Sequence, residues 1–270
     1  MSRVFSVFTL VFAFLQAFAL HAQDTPTEKT YINVAHRGGA SIGNENTLSC
    51  IAAGIAAGAD MVEIDIHLTK DGQMVVCHDP TIDRTTDGQG AIEEMTADEI
   101  RAFHIVDSRT GELTDETVPT LEEVLDLVSG ECSLLVEVKR KKNQYPGIEE
   151  KLVEAIDAFG ARRWVTVQSF NDSVIEKVHA ISPDIPVHKL IVCRLPFGLA
   201  FDGRIVKFNY DKYDYVEAVN VHRSFATKAM ARKAHAAGKK VGVWTVDKPR
   251  QVERIRDRVD MIITNSPDLF

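Results

Sequence analysis

Cysteine is scarce and poorly spaced for metal chemistry. Cys50, Cys77, Cys132 and Cys193 lie in apolar segments without a short Cys-x-x-Cys pair, which removes a structural zinc site and leaves buried thiols and disulfides both open. Positive charge is not in surplus either. Without the first 22 residues the chain carries 30 basic and 39 acidic side chains, net −9, which excludes a general affinity for nucleic acid. No Gly-x-Gly-x-x-Gly follows the first strand pattern, so a dinucleotide-binding sheet loses its main support. An uncleaved membrane anchor is also poorly supported: the opening apolar run spans 17 residues, Val4 to Leu20, and is interrupted by Ser6, Thr9 and Gln16.

That run has a different reading. Arg3 precedes it, and small residues and a polar, Pro-containing stretch follow, the layout of a secretory signal peptide cut between Ala19 and Ala22. The expectation is a leader over 1–22, a linker over 23–30, and a secreted or periplasmic mature protein with no stable membrane insertion.

From Tyr31 onward, short β-branched runs alternate with helical patterns, which argues for βα units and parallel strands. Strands are predicted at 31–37, 61–68, 133–139, 164–170, 186–192, 215–222, 240–246 and 260–265. Helices are predicted at 46–58, 120–129, 147–159, 171–181, 225–237 and 248–257, with Asn46, Thr120 and Asn171 as N-caps. Eight strands with interleaved helices in one domain, 31–270, predict an α/β fold of the (β/α)8 barrel type. A ninth strand, 74–78, returns antiparallel from the second. The polar stretch 79–118, with its mobile-looking "DSRTGELTDET", reads as an excursion over one mouth of the barrel.

The hairpin "VEIDIHLTKDGQMVVCHD" (62 to 79) carries the first chemical signal. Strand alternation puts Glu63, Asp65 and His67 on one face and Ile64, Ile66 and Leu68 on the other. A two-residue Asp-Gly turn pairs Lys70 with Gln73, which sets His78 opposite Asp65 and His67 opposite Val76. Carboxylates facing a crowded lumen are costly unless paired or bound to a cation. Other strand ends add His36 and Arg37 from "AHRGG", Glu137 and Lys139 from "LLVEVKRKK", and Trp244, equally a core residue or a ligand platform. Three carboxylates favour Mg2+ or Ca2+, Arg37 and Lys139 suit a phosphate, and two histidines suit proton transfer near neutral pH. Together these imply metal-assisted cleavage of a phosphate ester. His67 reads as a rim residue rather than a ligand, and Glu45 as a loop anchor.

The ordered set "AHRGG", "ENT" (45 to 47), "VEIDIHLTKDGQMVVCHD", "VPTLEEVL", "VEVK", "QSF" and "VWTVD" with "IITNSPD" resembles the glycerophosphodiester phosphodiesterases, with Asn44 where that family usually has proline. The resemblance implies a TIM barrel with a small insertion after the second histidine. It implies His36 and His78 as the acid/base pair, and Glu63, Asp65 and Glu137 as ligands of a divalent cation. Arg37 and Lys139 would hold the phosphate, with Phe170 and Trp244 beside the glycerol or leaving group. The implied reaction is hydrolysis of a small glycerophosphodiester to sn-glycerol 3-phosphate and an alcohol. Related phospholipase-like barrels acting on lysolipid or phosphoinositide head groups, some of them lyases, and a non-catalytic glycerophosphate-binding protein are the alternatives.

Overall fold

The computed structural model describes residues 30–140, 144–191 and 208–270. The expected leader, nearly all of the linker, Val192 and Cys193 lie outside them. The unit Tyr31–Phe270 is built on β1 (Ile32–Ala35), β2 (Met61–Leu68), β3 (Met74–Val76), β4 (Ser133–Val138), β5 (Val165–Ser169), β6 (Val187–Ile191), β7 (Ala218–His222), β8 (Lys240–Trp244) and β9 (Met261–Thr264). The sheet order is β1-β9-β8-β7-β6-β5-β4-β2-β3, and β1 also pairs with β2. Eight parallel strands therefore close into the expected barrel, with β3 antiparallel outside it.

Closure follows from the residues. On β2, Val62, Ile64, Ile66 and Leu68 pack outward against the helices, while alternate residues turn into the lumen. Below the polar mouth the lumen is filled by Val34, Met61, Leu135, Ala218, Met261 and Ile263, so the barrel interior is a packed core. Outside lie α1 (Leu48–Ala56), α2 (Ala97–Arg101), α3 (Leu121–Val128), α4 (Ile148–Ala158), α5 (Asp172–Ile181), α6 (Lys228–Ala236) and α7 (Pro249–Ile255). α3 shows why such segments form: Thr120 and Glu123 make a reciprocal capping box, and Leu121, Val124, Leu125 and Val128 give it one buried stripe.

Three expectations are corrected. The hairpin pairs Ile66 with Val76, His67 with Val75 and Leu68 with Met74, one residue away from the two-residue-turn register. The loop is the three residues Lys70, Asp71 and Gly72, with Gly72 at φ +79, a conformation glycine adopts without strain. Thr47, not Asn46, caps α1, accepting from Cys50 N at 3.2 Å. The excursion 79–118 contains α2 and its own small core of Val75, Cys77, Ile82, Ile92, Ile100, Ile105 and Val118. Within it, Asp107 ties the "DSRTGELTDET" turn by accepting from Arg109 N and Thr110 N. Cys50, Cys77 and Cys132 are free thiols.

Candidate active site

β1 ends at Ala35, and the chain turns at once through His36 and Arg37. Arg37 adopts φ +53, a left-handed conformation uncommon for a residue with a side chain. In that turn its backbone N–H donates to Glu63 Oε2 at 2.9 Å, and its guanidinium lies 3.0 Å from Glu45 Oε1 and 3.6 Å from Asp65 Oδ2. The same loop offers Asn46, at φ +61, whose side chain grips Asp65 at both ends: Nδ2 donates to Oδ2 at 3.0 Å and Oδ1 accepts from the Asp65 backbone N–H at 3.3 Å.

Glu63, Asp65 and Glu137 are buried, and each places a carboxylate oxygen within 4.8 Å of the others. Among the described residues this is the cluster able to hold a metal ion. Lys139 Nζ lies 2.9 Å from Asp65 Oδ1 and 2.8 Å from Glu137 Oε1, so the lysine serves both acids. The Asp65 contact is out of line for a hydrogen bond, and Asp65 Oδ1 is left a buried acceptor without one. Burial, with repulsion from Asp65, pushes the Glu63 carboxyl up to about 8. Burial likewise pushes Glu137 up to about 8, against the opposing pull of Lys139. For Asp65, burial is outweighed by Lys139, His78 and Arg37, which hold it well below the usual carboxylate range. Lys139 and Arg37 together are two cations against three buried acids. A hard divalent cation fits this donor set of carboxylate oxygens, including the one that lacks a donor.

The two histidines flank this cluster. His36 Nδ1 is 2.7 Å from Asn265 Oδ1, and His78 Nδ1 is 2.8 Å from Asp79 Oδ1. Burial lowers the pKa of both rings, helped at His36 by Arg37. Asp79 also accepts from Arg84 Nε, and Arg84 grips both oxygens of Glu45. Glu45 thus anchors two arginines, as its place in the loop suggested. His78 reaches the cavity although the hairpin register is not the expected one: pairing ends at Val76, the Cys77 N–H still donates to the Asp65 carbonyl at 3.0 Å, and the chain then bends. His67 holds that bend, with Nε2 3.2 Å from the His78 carbonyl and Nδ1 2.9 Å from the Tyr145 hydroxyl.

Eight of the nine expected residues, His36, Arg37, Glu63, His78, Glu137, Lys139, Phe170 and Trp244, line one open cavity, with Asp65 closed off beneath it. Leu190 and Ile263 add an apolar side, with Thr245 beside them. Trp244 meets Phe170 edge-on at 5.9 Å and His222 at 5.2 Å, and its buried Nε1–H has no hydrogen-bond partner among the described residues. The sequence reading missed Gln168, whose Nε2 donates to Glu63 Oε1 at 3.2 Å and whose Oε1 accepts from Asn220. Its only signal was an amide on the lumen face of a strand.

Residues 36–269 match the model of the glycerophosphoryl diester phosphodiesterase family. A glycerophosphodiester phosphodiesterase of Caldanaerobacter subterraneus subsp. tengcongensis is 33% identical over 241 residues, covering 87% of this chain and 94% of that one. One from Bacillus altitudinis is 31% identical over 240 residues, with the same coverage of each. The solved structure of an Oleispira antarctica phosphodiesterase in complex with the product sn-glycerol-3-phosphate has a TM-score of 0.74 and 26% identity, covering 88% of this chain and 94% of that one. Family model, relatives and fold agree over nearly all of Tyr31–Phe270, and the chain belongs to the glycerophosphoryl diester phosphodiesterase family of enzymes.

Proposed function

We propose that the chain hydrolyses glycerophosphodiesters to sn-glycerol 3-phosphate and an alcohol, with Glu63, Asp65 and Glu137 holding Mg2+ or Ca2+ and His36 and His78 transferring protons. The observation that carries this is the meeting, in one cavity, of a buried acidic triad, two histidines and two cationic side chains. When bound, the cation polarises the phosphoryl oxygens and offsets their charge. Arg37 and Lys139 draw the phosphate into the cavity, and Lys139 keeps its own charge because Asp65 and Glu137 outweigh the effect of its burial. One histidine takes the proton of the attacking hydroxyl and the other protonates the departing alkoxide. Phe170, Trp244 and Leu190 give the glycerol or alcohol an apolar wall. The product held by the Oleispira antarctica relative agrees with this substrate class. Residues 1–22 are proposed to export the enzyme, which N-terminal sequencing of the mature protein tests.

The deciding assay strips the metal and adds back Mg2+, Ca2+ or Mn2+ over glycerophosphocholine, glycerophosphoethanolamine and lysolipids. Rescue on the glycerophosphodiesters is expected, with His36→Ala and His78→Ala each losing roughly 10²–10⁴-fold in kcat. Failure of every divalent ion to restore turnover refutes the role of the triad, and strong preference for a lysolipid refutes the substrate class.

A further inference from the structure

The geometry points to Asn265 and Asp247 as positioning residues that lock His36 in its Nδ1–H tautomer. The inference rests on the proton-transfer role given to His36 above. Asp247 lies just past β8, Asn265 just past β9 and His36 just past β1. These three strands are neighbours in the barrel, so the residues form a row across its mouth.

The order of donors in that row is forced. Asp247 accepts from the Asn265 backbone N–H at 2.8 Å, from Asn265 Nδ2 at 3.1 Å and from Thr264 Oγ1 at 3.3 Å. An ionised carboxylate can only accept, so the Asn265 side-chain atom facing it is the amide nitrogen, which removes the usual ambiguity between the two ends of an amide. The other end is then the oxygen, 2.7 Å from His36 Nδ1. An amide oxygen can only accept, so Nδ1 carries the proton, and a neutral ring has its lone pair on Nε2. This is the tautomer that an unconstrained histidine disfavours in water. Nε2 has no hydrogen-bond partner among the described residues, and the ring lines the cavity.

Asp247 is itself fixed, since its backbone N–H donates to Gln251 Oε1 at 3.1 Å at the start of α7. The device differs from the one at His78, where a carboxylate touches the ring directly. An amide between ring and carboxylate fixes the tautomer without setting a full negative charge against the imidazole. A ring so held takes a proton at Nε2 and hands it on from the same atom.

The test is long-range 1H–15N spectroscopy on histidine-labelled enzyme at mildly alkaline pH, with His36 assigned by its loss in His36→Ala. Wild type is expected to show Nδ1–H. Asn265→Ala is expected to move the ring toward Nε2–H and to lower kcat on the order of 10–100-fold with KM nearly unchanged. In the exchange Asn265→Asp with Asp247→Asn, the amide nitrogen at 247 donates to the carboxylate at 265, and the Nδ1–H tautomer returns. A wild-type ring protonated at Nε2 overturns the inference. So does an Asn265→Ala enzyme that keeps both the Nδ1–H tautomer and wild-type kcat. Full turnover by His36→Ala would instead remove the catalytic reading, and the tautomer measurement would stand or fall separately.

Discussion

Gly242 lies so close to Asn220 that a Cβ at position 242 would meet the amide oxygen of Asn220 at 2.2 Å. Both residues face the barrel interior on adjacent strands, where Asn220 supports Gln168 and Gln168 supports Glu63. Gly242→Ala is therefore expected to cost about 1–3 kcal/mol by overpacking. It should also lower kcat by displacing Gln168. Urea unfolding reads the first as a lower midpoint at unchanged slope. An unshifted midpoint contradicts the crowding argument.

Cation uptake should depend on pH in a defined direction. Glu63 and Glu137 titrate near 8 in the fold, against an ordinary value of 4.5. The unfolded chain gives up these protons first, so these two groups subtract stability from the metal-free protein as pH rises through that interval. A divalent cation needs the carboxylates ionised. Its affinity should therefore climb toward about pH 8, with protons released on binding. Calorimetry in buffers of different protonation enthalpy reads that release, and equal affinity across the interval with no proton release refutes it.

His67 should matter for stability on the acid side. Burial lowers its pKa to about 4, and the same holds for His188 deep in the barrel. Both rings stay neutral while the unfolded chain takes up protons below its ordinary value of 6.5, so each subtracts stability as pH falls from 6.5 toward 4. His67→Phe is expected to reduce this loss without abolishing it, because His188 remains. It should also cost about 1–3 kcal/mol at neutral pH by leaving the His78 carbonyl and the Tyr145 hydroxyl without their partner. An unchanged acid slope in thermal unfolding counts against it.

Phe170 is 41% exposed and meets Trp244 edge-on at the cavity rim. Phe170→Ala should leave stability within about 1 kcal/mol. If, as proposed, the ring shelters the ligand from water equally in the ground and transition states, KM rises roughly 3- to 10-fold. Steady-state kinetics showing a fall in kcat at constant KM would place Phe170 in the chemical step instead.

The barrel and the acidic face were legible because both are periodic. Alternation alone put Glu63 and Asp65 together, and βα repetition located all eight barrel strands. The hairpin register was not legible, since distant contacts set it. The Asp71 carboxylate accepts from Thr69 Oγ1 and from Ala97 N of the insertion, and Lys70 N donates to the Met95 carbonyl. These contacts favour the three-residue loop over the turn that Asp-Gly prefers by itself. His78 lines the cavity through the bend after Val76, not by standing opposite Asp65 as the two-residue turn predicts. Asn265, 229 positions from His36, carries no local pattern that announces its partner.

The early end of β1 has a consequence for the spacing of the chemistry. β1 pairs with β2 only as far as Val62, and β3 takes up the same edge from Ile66 onward. In the gap between them, the backbone N–H of Asp65 is taken by the Asn46 side chain. His36 leaves the lower partner and His78 leaves the upper one, so both histidines are indexed to one strand. Their separation is graduated in backbone pitch, about 3.3 Å per residue, along the strand that also supplies two of the three acids. Loop lengths elsewhere in the barrel can change without altering that interval.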